Sequence, residues 1–294
     1  MNSKFDIKVV ERIVTHPGVA HRDEFLACSL ADAGAVREFN IDRREPTAEE
    51  LLNPRVLVLD IGGKYEPHLA NFDHHQELPT GLEGACAFTL LARHVEWRGH
   101  LVHDLLKDRP WYRATEVIDN KGLRGFAEEF AEGAFVPFGP LRSPIEGGML
   151  QFFAKDPTEV AVIFALCVAT LLDEEVEAVE TYGELEGKAR YGTHNGLAYT
   201  LVEEWFRSRD PRRLSEWLAR KGLHPDFTIA PNPRGDGYSL FRCGRAPGEP
   251  EVLDFSRLAE DPRIHFAHKS GFLAVTKVPL KVEDYLELVD KAKL

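Results

Sequence analysis

Carboxylate and imidazole side chains recur in the first half of this chain in an order that can bind metal ions. Asp73, His74 and His75 follow one another directly, and Asp60 precedes them after the apolar run 56–59. Such side chains offer the oxygen and nitrogen ligands that divalent metals use in mixed coordination spheres. The sequence therefore predicts a metal centre.

The candidate ligands comprise three carboxylates and three imidazoles. They are His16, His21, Asp23, Asp60, His74 and Asp119. Two divalent ions about 3.5–4 Å apart can stabilise both the attacking and the leaving oxygen of a phosphoryl displacement. One carboxylate has to bridge the two ions in such a site. Ligation without thiolates favours Mn²⁺, with Mg²⁺, Co²⁺ or Zn²⁺ as alternatives. We therefore predict two divalent metal ions as cofactors.

Another interpretation of the central tripeptide stays open. Asp73 can cap a helix while His74 and His75 lie in solvent, which would leave these residues without a chemical role. Other enzyme patterns are missing, because the sequence has no H-E-x-x-H pair, no Walker-type glycine loop and no G-x-S-x-G elbow. The usual signatures of zinc proteases, P-loop enzymes and serine hydrolases are therefore absent from the chain.

The elements that must position the ligands alternate between strand-like and helix-like segments. The predicted strands are 7–15, 36–41 and 55–61, the predicted helices are 23–33, 85–102, 111–119 and 157–186, and a capping box at 47–50 opens a short helix. Gly62 and Gly63 let the chain turn sharply after the third strand. This order predicts parallel βαβ units, whose strands end at one common edge of a sheet. Ligands that follow successive strands can converge there.

The second half of the chain has a different composition. Three glycines, Gly187, Gly192 and Gly196, interrupt polar sequence and predict a domain boundary. We expect a metal-binding catalytic domain over 1–188 and a smaller domain over 189–294. The predicted elements of the second domain are a strand 197–202, a helix 210–221, a hairpin with arms 226–230 and 238–243, a segment 264–277 and a helix 282–293. The predicted fold class is α/β, with a parallel β-sheet flanked by helices and a second, smaller α/β domain.

Composition excludes some classes of function. The net charge of −12 argues against a protein that coats long nucleic acid by charge alone. Bound divalent metals can still attract a phosphorylated substrate. The four cysteines form no C-x-x-C pair and are expected to be buried free thiols of a reduced compartment. The N-terminus lacks a signal-peptide core and the apolar run 160–172 is too short to cross a bilayer, so we expect a cytoplasmic protein that does not enter a membrane.

Five segments of the chain resemble a known family. They are 15–24, 60–67, 72–76, 118–120 and 266–272. Together they resemble the DHH phosphoesterase superfamily, which is named for the tripeptide Asp73–His75. Within it they resemble the melanocyte proliferating gene 1 family, whose members are described as exonucleases acting on RNA. The resemblance extends over nearly the whole chain, and its first three motifs are specific together.

The resemblance implies a distribution of ligands between two metals. One metal would be held by His16, His21 and Asp60. The other would be held by the ligand set Asp23, Asp60, His74 and Asp119, with Asp60 bridging. Asp73 would orient a neighbouring imidazole, and His75 would face the substrate as a phosphate ligand or proton donor. The resemblance also implies that the DHH-type domain is followed by a smaller C-terminal domain that closes over the cleft.

The late segment implies further substrate contacts. His268 and Lys269 would reach the phosphate together with Ser270 and Gly271, and Arg242 or Arg245 would add positive charge. The expected catalytic residues are thus His75, Asp73, His268 and Lys269, and the expected substrate-binding residues are His268, Lys269, Ser270, Gly271 and Arg242. Two departures from the family pattern concern the substrate: Arg22 replaces a small residue, and 273–277 replaces a glycine-rich run.

We therefore expect a metal-dependent phosphoesterase, a hydrolase that acts as an exonuclease on RNA or short oligonucleotides. A hydroxide activated by two metals would attack phosphorus in line. One alternative is a small-molecule phosphatase for pyrophosphate, a bisphosphonucleotide or a cyclic dinucleotide, which the acidic composition favours. Another is a non-catalytic metal-binding protein. A homodimer is compatible with the sequence.

Overall fold

The chain divides into two compact units, Met1–Val176 and Glu177–Leu294. The structure is a computed structural model that describes residues 5–130, 144–204, 206, 208, 211–244 and 249–294. The predicted division after residue 188 stays a prediction. One long helix, Pro157–Lys188, contributes residues to both units.

The described residues form the following α-helices and β-strands. The helices are α1 Arg22–Ala35, α2 Ala87–Ala92, α3 Val102–Leu106, α4 Pro110–Glu129, α5 Pro144–Lys155, α6 Pro157–Lys188, α7 Pro211–Arg220 and α8 Val282–Ala292. The strands are β1 Arg12–Thr15, β2 Asn40–Arg43, β3 Val56–Leu59, β4 Tyr65–Glu66, β5 Asn71–Phe72, β6 Glu96–Trp97, β7 His100–Leu101, β8 Ala189–His194, β9 Leu197–Val202, β10 Phe227–Pro231, β11 Tyr238–Arg242, β12 Ile264–Ala267 and β13 Leu273–Thr276.

The first unit is built on a five-stranded sheet with the order β2-β1-β3-β5-β4. Strands β1, β2, β3 and β5 pair in parallel, and only β4 at the edge is antiparallel. All four residues of β3 are buried, as expected for a strand covered on both faces. The chain continues from β1 to β2 on one side and returns to β3 on the other side of β1. This reversal of direction leaves a crevice at the carboxyl ends of β1 and β3, where α/β folds place their ligand sites.

Helices cover this sheet and form one core with it. Phe25, Cys28 and Leu30 of α1 cluster with Leu57 and Leu59 of β3. Burial of each such side chain stabilises the fold by roughly 1.5–3 kcal/mol. The apolar face of α1 thus fixes the helix against the sheet, and with it the ligand-type residues in its first turn.

The second unit contains a six-stranded mixed sheet with the order β12-β13-β11-β10-β9-β8. Only β9 and β10 pair in parallel, and the other neighbours are antiparallel. One face of this sheet packs against α8, where Leu240 and Ala274 cluster with Tyr285 and Leu288. A separate cluster joins the end of α6 to α7 through Leu185 and Trp217 among others. The predicted fold class, a parallel sheet flanked by helices with a second sheet-containing unit, is confirmed.

Several predicted elements differ from the observed ones. The predicted helix 85–102 is a short helix, α2, followed by the hairpin β6–β7, because Arg98 and Gly99 both have positive φ and reverse the chain. The predicted strand 7–15 begins only at Arg12, after a 3₁₀ turn at Ile7–Val9. The predicted strand 36–41 begins at Asn40, because Val36 is in the left-handed conformation and ends α1.

The described part of the chain contains no helix long and apolar enough to cross a membrane. The cysteines fit the prediction only in part. Cys28 and Cys86 are buried, but Cys167 is exposed and Cys243 is half-buried; all four thiols are free.

Candidate metal centre

Three parallel strands of the first unit end beside the ligand-type residues. His16 follows β1, Asp60 follows β3, and Asp73 follows β5. The strands are held in register, since Thr15 lies opposite Leu59 and Leu59 lies opposite Phe72. These three residues therefore lie at the same level along the strand direction, at the carboxyl edge of the sheet.

Asp60 lies at the centre of the site in a constrained backbone conformation. Its φ is +59°, in the left-handed region, and its side chain is only 2% exposed. The backbone N–H of Asp60 donates to the carbonyl of Phe72, and the next glycines, Gly62 and Gly63, also have positive φ. A non-glycine residue in this region costs of order 1 kcal/mol or more and is commonest at functional sites. The conformation turns the carboxylate toward the sheet edge.

The carboxylate of Asp60 contacts histidines on two sides. Its Oδ2 lies 3.4 Å from Nε2 of His16, and its Oδ1 lies 3.0 Å from Nε2 of His74. The Nδ1–H of His16 donates to the carbonyl of Pro17 at 2.7 Å, which leaves Nε2 as the nitrogen that faces the carboxylates. The two carboxylate oxygens of Asp60 therefore lie beside two different histidines.

His16 is strongly basic in this ion-free arrangement. Its Nε2 lies 3.2 Å from Oε1 of Glu24, and this contact is the largest reason why its pKa rises from 6.5 to about 9. The ring of His21, at the start of α1, lies 4.9 Å from the ring of His16. Both imidazoles therefore face a negatively charged pocket.

Asp23 and Asp119 complete the acidic surroundings. Burial raises the pKa of Asp23 well above its ordinary value, and the charges of Asp60 and Asp119 raise it further. Both carboxylate oxygens of Asp23 are buried without a hydrogen-bond partner among the described residues. Burial also raises the pKa of Asp119. A buried carboxylate without donors is costly, and a bound cation would remove that cost.

His74 links the sheet edge to α4. Its Nε2 lies 3.0 Å from Oδ2 of Asp119 as well as 3.0 Å from Oδ1 of Asp60. Asp119 is held in place by its neighbour Asn120, whose side-chain amide donates to the carbonyls of Gly84 and Glu116. The end of the first part of α4, before Gly122 turns the chain, is therefore fixed against the site.

The side chains form three overlapping groups that can hold a metal ion. The groups are His16, His21 and Asp60; Asp60, His74 and His75; and His21, Asp23 and Asp119, each with ligand atoms within 4.8 Å of one another. The first group has the same members as the first ligand set that the resemblance implies. Asp60 and His21 each belong to two groups. The mixed oxygen and nitrogen donors, the buried carboxylates and the unpartnered oxygens of Asp23 fit a site for two divalent cations.

Asp73 and His75 form a pair beside the proposed ligands. Oδ1 of Asp73 accepts from Nδ1 of His75 at 2.6 Å and from the backbone N–H of His74 at 2.7 Å. Its Oδ2 accepts from the backbone N–H of Gly63 at 2.6 Å. Burial acts to raise the pKa of Asp73, but hydrogen bonds from His75 and Gly63 outweigh it and lower that pKa. Asp73 therefore stays a carboxylate and orients His75, whose side chain is 63% exposed.

Glu24 and Arg43 support the site, and the sequence analysis gave neither a role. Glu24 is fully buried and accepts from the hydroxyl of Thr15 at 2.9 Å, the backbone N–H of His21 at 2.9 Å and Nη2 of Arg43 at 3.0 Å. Arg43 also donates to the carbonyl of His16. The spacing of His21 and Glu24, a capping-box spacing, was a readable signal for Glu24. Arg43 lies on β2, whereas Glu24 lies on α1, and no local sequence pattern indicates their contact.

The remaining predicted site residues lie in the second unit. The backbone N–H of Ser270 donates to Nδ1 of His268, and the ring of His268 lies 4.3 Å from that of Phe272. Gly271 has φ +70°, and a Cβ there would lie 2.2 Å from Oδ1 of Asp254. Lys269 is exposed on the same turn between β12 and β13.

Arg242 is engaged within the second unit. Its Nη1 donates to the carbonyl of Leu253 at 2.7 Å, and its Nε lies 3.2 Å from Glu251. Its charge is therefore partly neutralised. Arg245, the other candidate cation, lies outside the described residues.

Known proteins match part of this chain. Residues 12–82 match the family MYG1_exonuc, described as Uncharacterised protein family (UPF0160). The match includes the first three motifs that resemble the melanocyte proliferating gene 1 family. The bovine MYG1 exonuclease (Bos taurus) is 45% identical over 67 residues, which cover 22% of this chain and 17% of that protein. The human MYG1 exonuclease (Homo sapiens) is 38% identical over 81 residues, which cover 25% of this chain and 19% of that protein.

A bacterial relative aligns over a longer region. The MYG1 protein of Chlamydia trachomatis is 26% identical over 152 residues, which cover 48% of this chain and 48% of that protein. The chain thus spans less than half the length of these relatives. Among solved structures, the pGpG-specific phosphodiesterase PggH from Vibrio cholerae aligns over 96% of this chain and 97% of that chain at 12% identity, with a TM-score of 0.29. A TM-score of this size is too low to establish a shared fold.

Proposed function

We propose that this chain is a metal-dependent phosphodiesterase that acts as an exonuclease on RNA or short oligonucleotides, with two divalent ions, Mn²⁺ first among them, as cofactors. The observation that carries the proposal is the convergence of His16, Asp60, His74 and Asp119 at one edge of the parallel sheet, around the unpartnered carboxylate of Asp23. The match of residues 12–82 to a family of named exonucleases supports it.

The residues divide into two ligand sets that share one carboxylate. His16, His21 and Asp60 would hold one ion, and the set Asp23, Asp60, His74 and Asp119 would hold the other. Two ions in such a site lower the pKa of the attacking water and stabilise the negative charge of the phosphoryl group. The ligand side chains have to be deprotonated to bind them, so binding releases protons from this acidic cluster.

His75 is the residue we assign to the substrate. Its Nδ1–H donates to Asp73, which fixes the ring and leaves Nε2 as the nitrogen that can meet a substrate oxygen. The 63% exposure of this side chain makes that nitrogen accessible. His75 can therefore hold a proton at Nε2 and pass it to the leaving oxygen. His268, Lys269, Ser270, Gly271 and Arg242 remain proposed substrate contacts of the second unit.

A small-molecule phosphatase is the second candidate. The net charge of −12 favours a short substrate, because a long nucleic acid would be repelled by most of such a surface. Turnover of a labelled RNA ladder, compared with that of pyrophosphate and of dinucleotides, separates the two activities. Shortening of the ladder from one end supports the exonuclease.

The proposed metal centre is tested by replacing its shared ligand. Asp60→Asn keeps the shape of the side chain but removes its charge, so we expect at least one ion to be lost. Hydrolysis of RNA in Mn²⁺ should then fall by at least about 100-fold, since metal-ligand charge supplies several kcal/mol of transition-state stabilisation. Metal content, measured on the purified protein by elemental analysis, should fall in parallel.

Asp104→Asn is the matched control, because Asp104 is an exposed residue of the same unit that pairs with Lys107 at the surface. This variant should keep full metal content and activity. The Mn²⁺-dependent rise in melting temperature should be present in the wild type and in Asp104→Asn, and it should be smaller in Asp60→Asn. Wild-type hydrolysis by Asp60→Asn would contradict the bridging role.

A further inference from the structure

The sheet of the second unit has one face that α8 does not cover. Side chains alternate along its strands, so Leu240 and Ala274 point to the core with α8. Their neighbours Ser239, Phe241 and Val275 line a cavity of about 700 Å³ on the opposite face. This volume is typical of ligand pockets. We call this surface of β10, β11, β12 and β13 the open sheet face.

A β-bulge changes which side chains reach the open sheet face. The pairing of β12 with β13 shifts register between Ile264 and Phe266. Ile264 points into the core, while both His265 and Phe266 line the cavity. A bulge adds one residue to a strand and redirects a side chain, and here it brings an additional aromatic ring to this face.

Aromatic rings form a row along the open sheet face. Phe241 lies 5.8 Å from Phe272, Phe272 lies 4.3 Å from His268, and His268 lies 6.2 Å from Phe266, measured between ring centroids. The two ends of the row are accessible, since Phe241 is 37% and Phe266 is 46% exposed. Phe241 on β11 and Phe266 on β12, with β13 between them, offer two separate flat apolar surfaces to a ligand with rings of its own.

The charged side chains around the row of aromatic rings are mostly positive, whereas the chain as a whole has a negative net charge. The charged side chains of arginine, lysine and aspartate that line the cavity are Arg212, Arg234, Lys277 and Asp236. Lys277 donates to the carbonyl of Pro262, a neutral acceptor that does not cancel its charge. Neither Arg234 nor Lys277 pairs with a carboxylate of the described residues. This local excess of positive charge, in a chain with net charge −12, is complementary to phosphate.

We propose that the open sheet face binds unpaired RNA, with bases stacked on Phe241 and Phe266 and phosphates held by Arg234 and Lys277. The inference rests on the proposed function for the choice of a nucleic acid, and it adds a binding surface built only from residues of the second unit. Sheet faces with exposed aromatic residues bind single strands in this way, because unstacked bases can lie on the rings while the backbone follows the cations.

A duplex does not fit this surface equally well. Its bases are already stacked on one another, so the phenylalanine rings gain nothing from contact with them. Only the phosphates of a duplex can meet Arg234 and Lys277. We therefore expect the face to select single strands, and to do so without strong preference for a base, since every base presents an aromatic surface.

The test is equilibrium binding of a 5′-fluorescein oligouridine of eight nucleotides to the full chain, measured by anisotropy in EDTA so that no hydrolysis occurs. The double variant Phe241→Ala, Phe266→Ala should weaken binding by at least about 30-fold, because the stacking of two bases is lost and each accounts for at least about 5-fold in affinity. Phe152→Ala is the matched control, because Phe152 is a 66% exposed phenylalanine in the first unit. Its affinity should equal that of the wild type.

The cations are tested through the salt dependence of the same binding. Loss of two phosphate contacts in Arg234→Ala, Lys277→Ala should reduce the slope of log affinity against log salt by about 1.4. A blunt duplex of the same length should bind more weakly than the single strand. Circular dichroism and melting temperature check that the variants fold, as expected for changes at exposed side chains.

Each outcome decides for or against the proposal. Equal affinity of the phenylalanine double variant and the wild type, or no single-strand binding by the wild type, overturns it. A dimer that the same double variant dissociates in sedimentation experiments overturns it too, because the face would then bind a second copy. If the wild type binds RNA but hydrolyses no diester, the proposed function fails and this inference stands.

Discussion

At the scale of single residues, the site contains several buried carboxylates and few hydrogen-bond donors among the described residues. Burial raises the pKa of Asp23 and of Asp119 most, and the charge of Asp60 raises both further. Glu24 differs from them, because Thr15, His21 and Arg43 donate to it. This contrast separates the carboxylates that we propose as metal ligands from Glu24, which is held by three donors.

The ligand-type residues could be identified from the sequence, because the ability of a side chain to bind a metal depends on its residue type. Asp73, His74 and His75 are recognisable as a motif, and Asp60 follows an apolar strand. That Asp73 contacts the ring of His75 and only the backbone of His74 depends on ring orientation, which cannot be read from the sequence. The link between Glu24 and Arg43 joins α1 to β2 and required the packed structure.

Asp32 gives a prediction on stability away from the metal centre. Burial is the main reason why the pKa of this carboxyl rises from 3.8 to about 7, although it accepts from the backbone N–H of Phe39. The folded state therefore binds a proton at Asp32 that the unfolded state has lost between pH 4 and pH 7. By linkage, the contribution of this group to stability decreases as the pH rises through that window.

Asp32→Asn should remove this dependence, since the amide oxygen still accepts from Phe39 and carries no charge. The free energy of unfolding of the variant, relative to the wild type, should increase by about 2 to 4 kcal/mol between pH 4 and pH 8. Urea unfolding at several pH values measures it. Asp104→Asn, which changes an exposed carboxylate, should show no such trend, and a flat difference for Asp32→Asn would contradict the assignment.

At the scale of elements, the regular segments were predictable and the chain reversals were not. The strand 197–202 is a short, largely apolar run, and the arms of the hairpin flank the turn-forming residues 232–237, so both predictions agree with the structure. The capping box also agrees, since Thr47 and Glu50 exchange backbone and side-chain hydrogen bonds. The predicted helix 85–102 was wrong beyond Ala92, because the helical spacing of apolar residues continues through a two-residue turn at Arg98 and Gly99.

The turn after β3 yields a prediction with an internal comparison. Gly62 has φ +97°, and a Cβ there would lie 2.8 Å from Cδ2 of Leu51. Gly63 has φ +66°, and a Cβ there would meet nothing within 4 Å. Gly63→Ala should therefore cost about 1 kcal/mol of stability, for the backbone conformation alone. Gly62→Ala should cost about 2 to 3 kcal/mol, because strain in packing is added.

Chemical unfolding of the two variants checks this order. Both keep the backbone N–H of Gly63 that donates to Asp73, so a difference between them reports packing against Leu51 and not a lost hydrogen bond. Equal destabilisation would show that Leu51 moves aside freely. A larger cost for Gly63→Ala would contradict the assignment of strain.

At the scale of the whole molecule, the chain has separate cores in its two units. Ala178, Tyr182 and Leu185, at the end of α6, pack with Trp217 and Leu218 of α7. These three residues precede the predicted division after residue 188 but belong to the second unit by their contacts. Of the glycines that suggested the later boundary, Gly187 lies in the last turn of α6, Gly192 lies within β8, and Gly196 lies in the turn to β9.

The two divisions predict different behaviour of fragments. A fragment 177–294 retains the α6 residues of its core and should fold. A fragment 189–294 lacks them, and the loss of three buried side chains, about 4 kcal/mol in total, is comparable to the stability of a small domain. We expect cooperative unfolding by circular dichroism for the longer fragment and not for the shorter one. Cooperative unfolding of both would support the division after residue 188.

The left-handed backbone conformation at Asp60 also has a consequence for the evolution of this protein. Glycine would adopt the same conformation with less strain, so Asp60→Gly would ease folding while abolishing the shared carboxylate. In the proposed metal centre, the role of shared ligand would be the reason why aspartate occupies this position. We therefore expect glycine at this position in relatives that have lost catalysis. The residue type at position 60 would then distinguish active from inactive relatives.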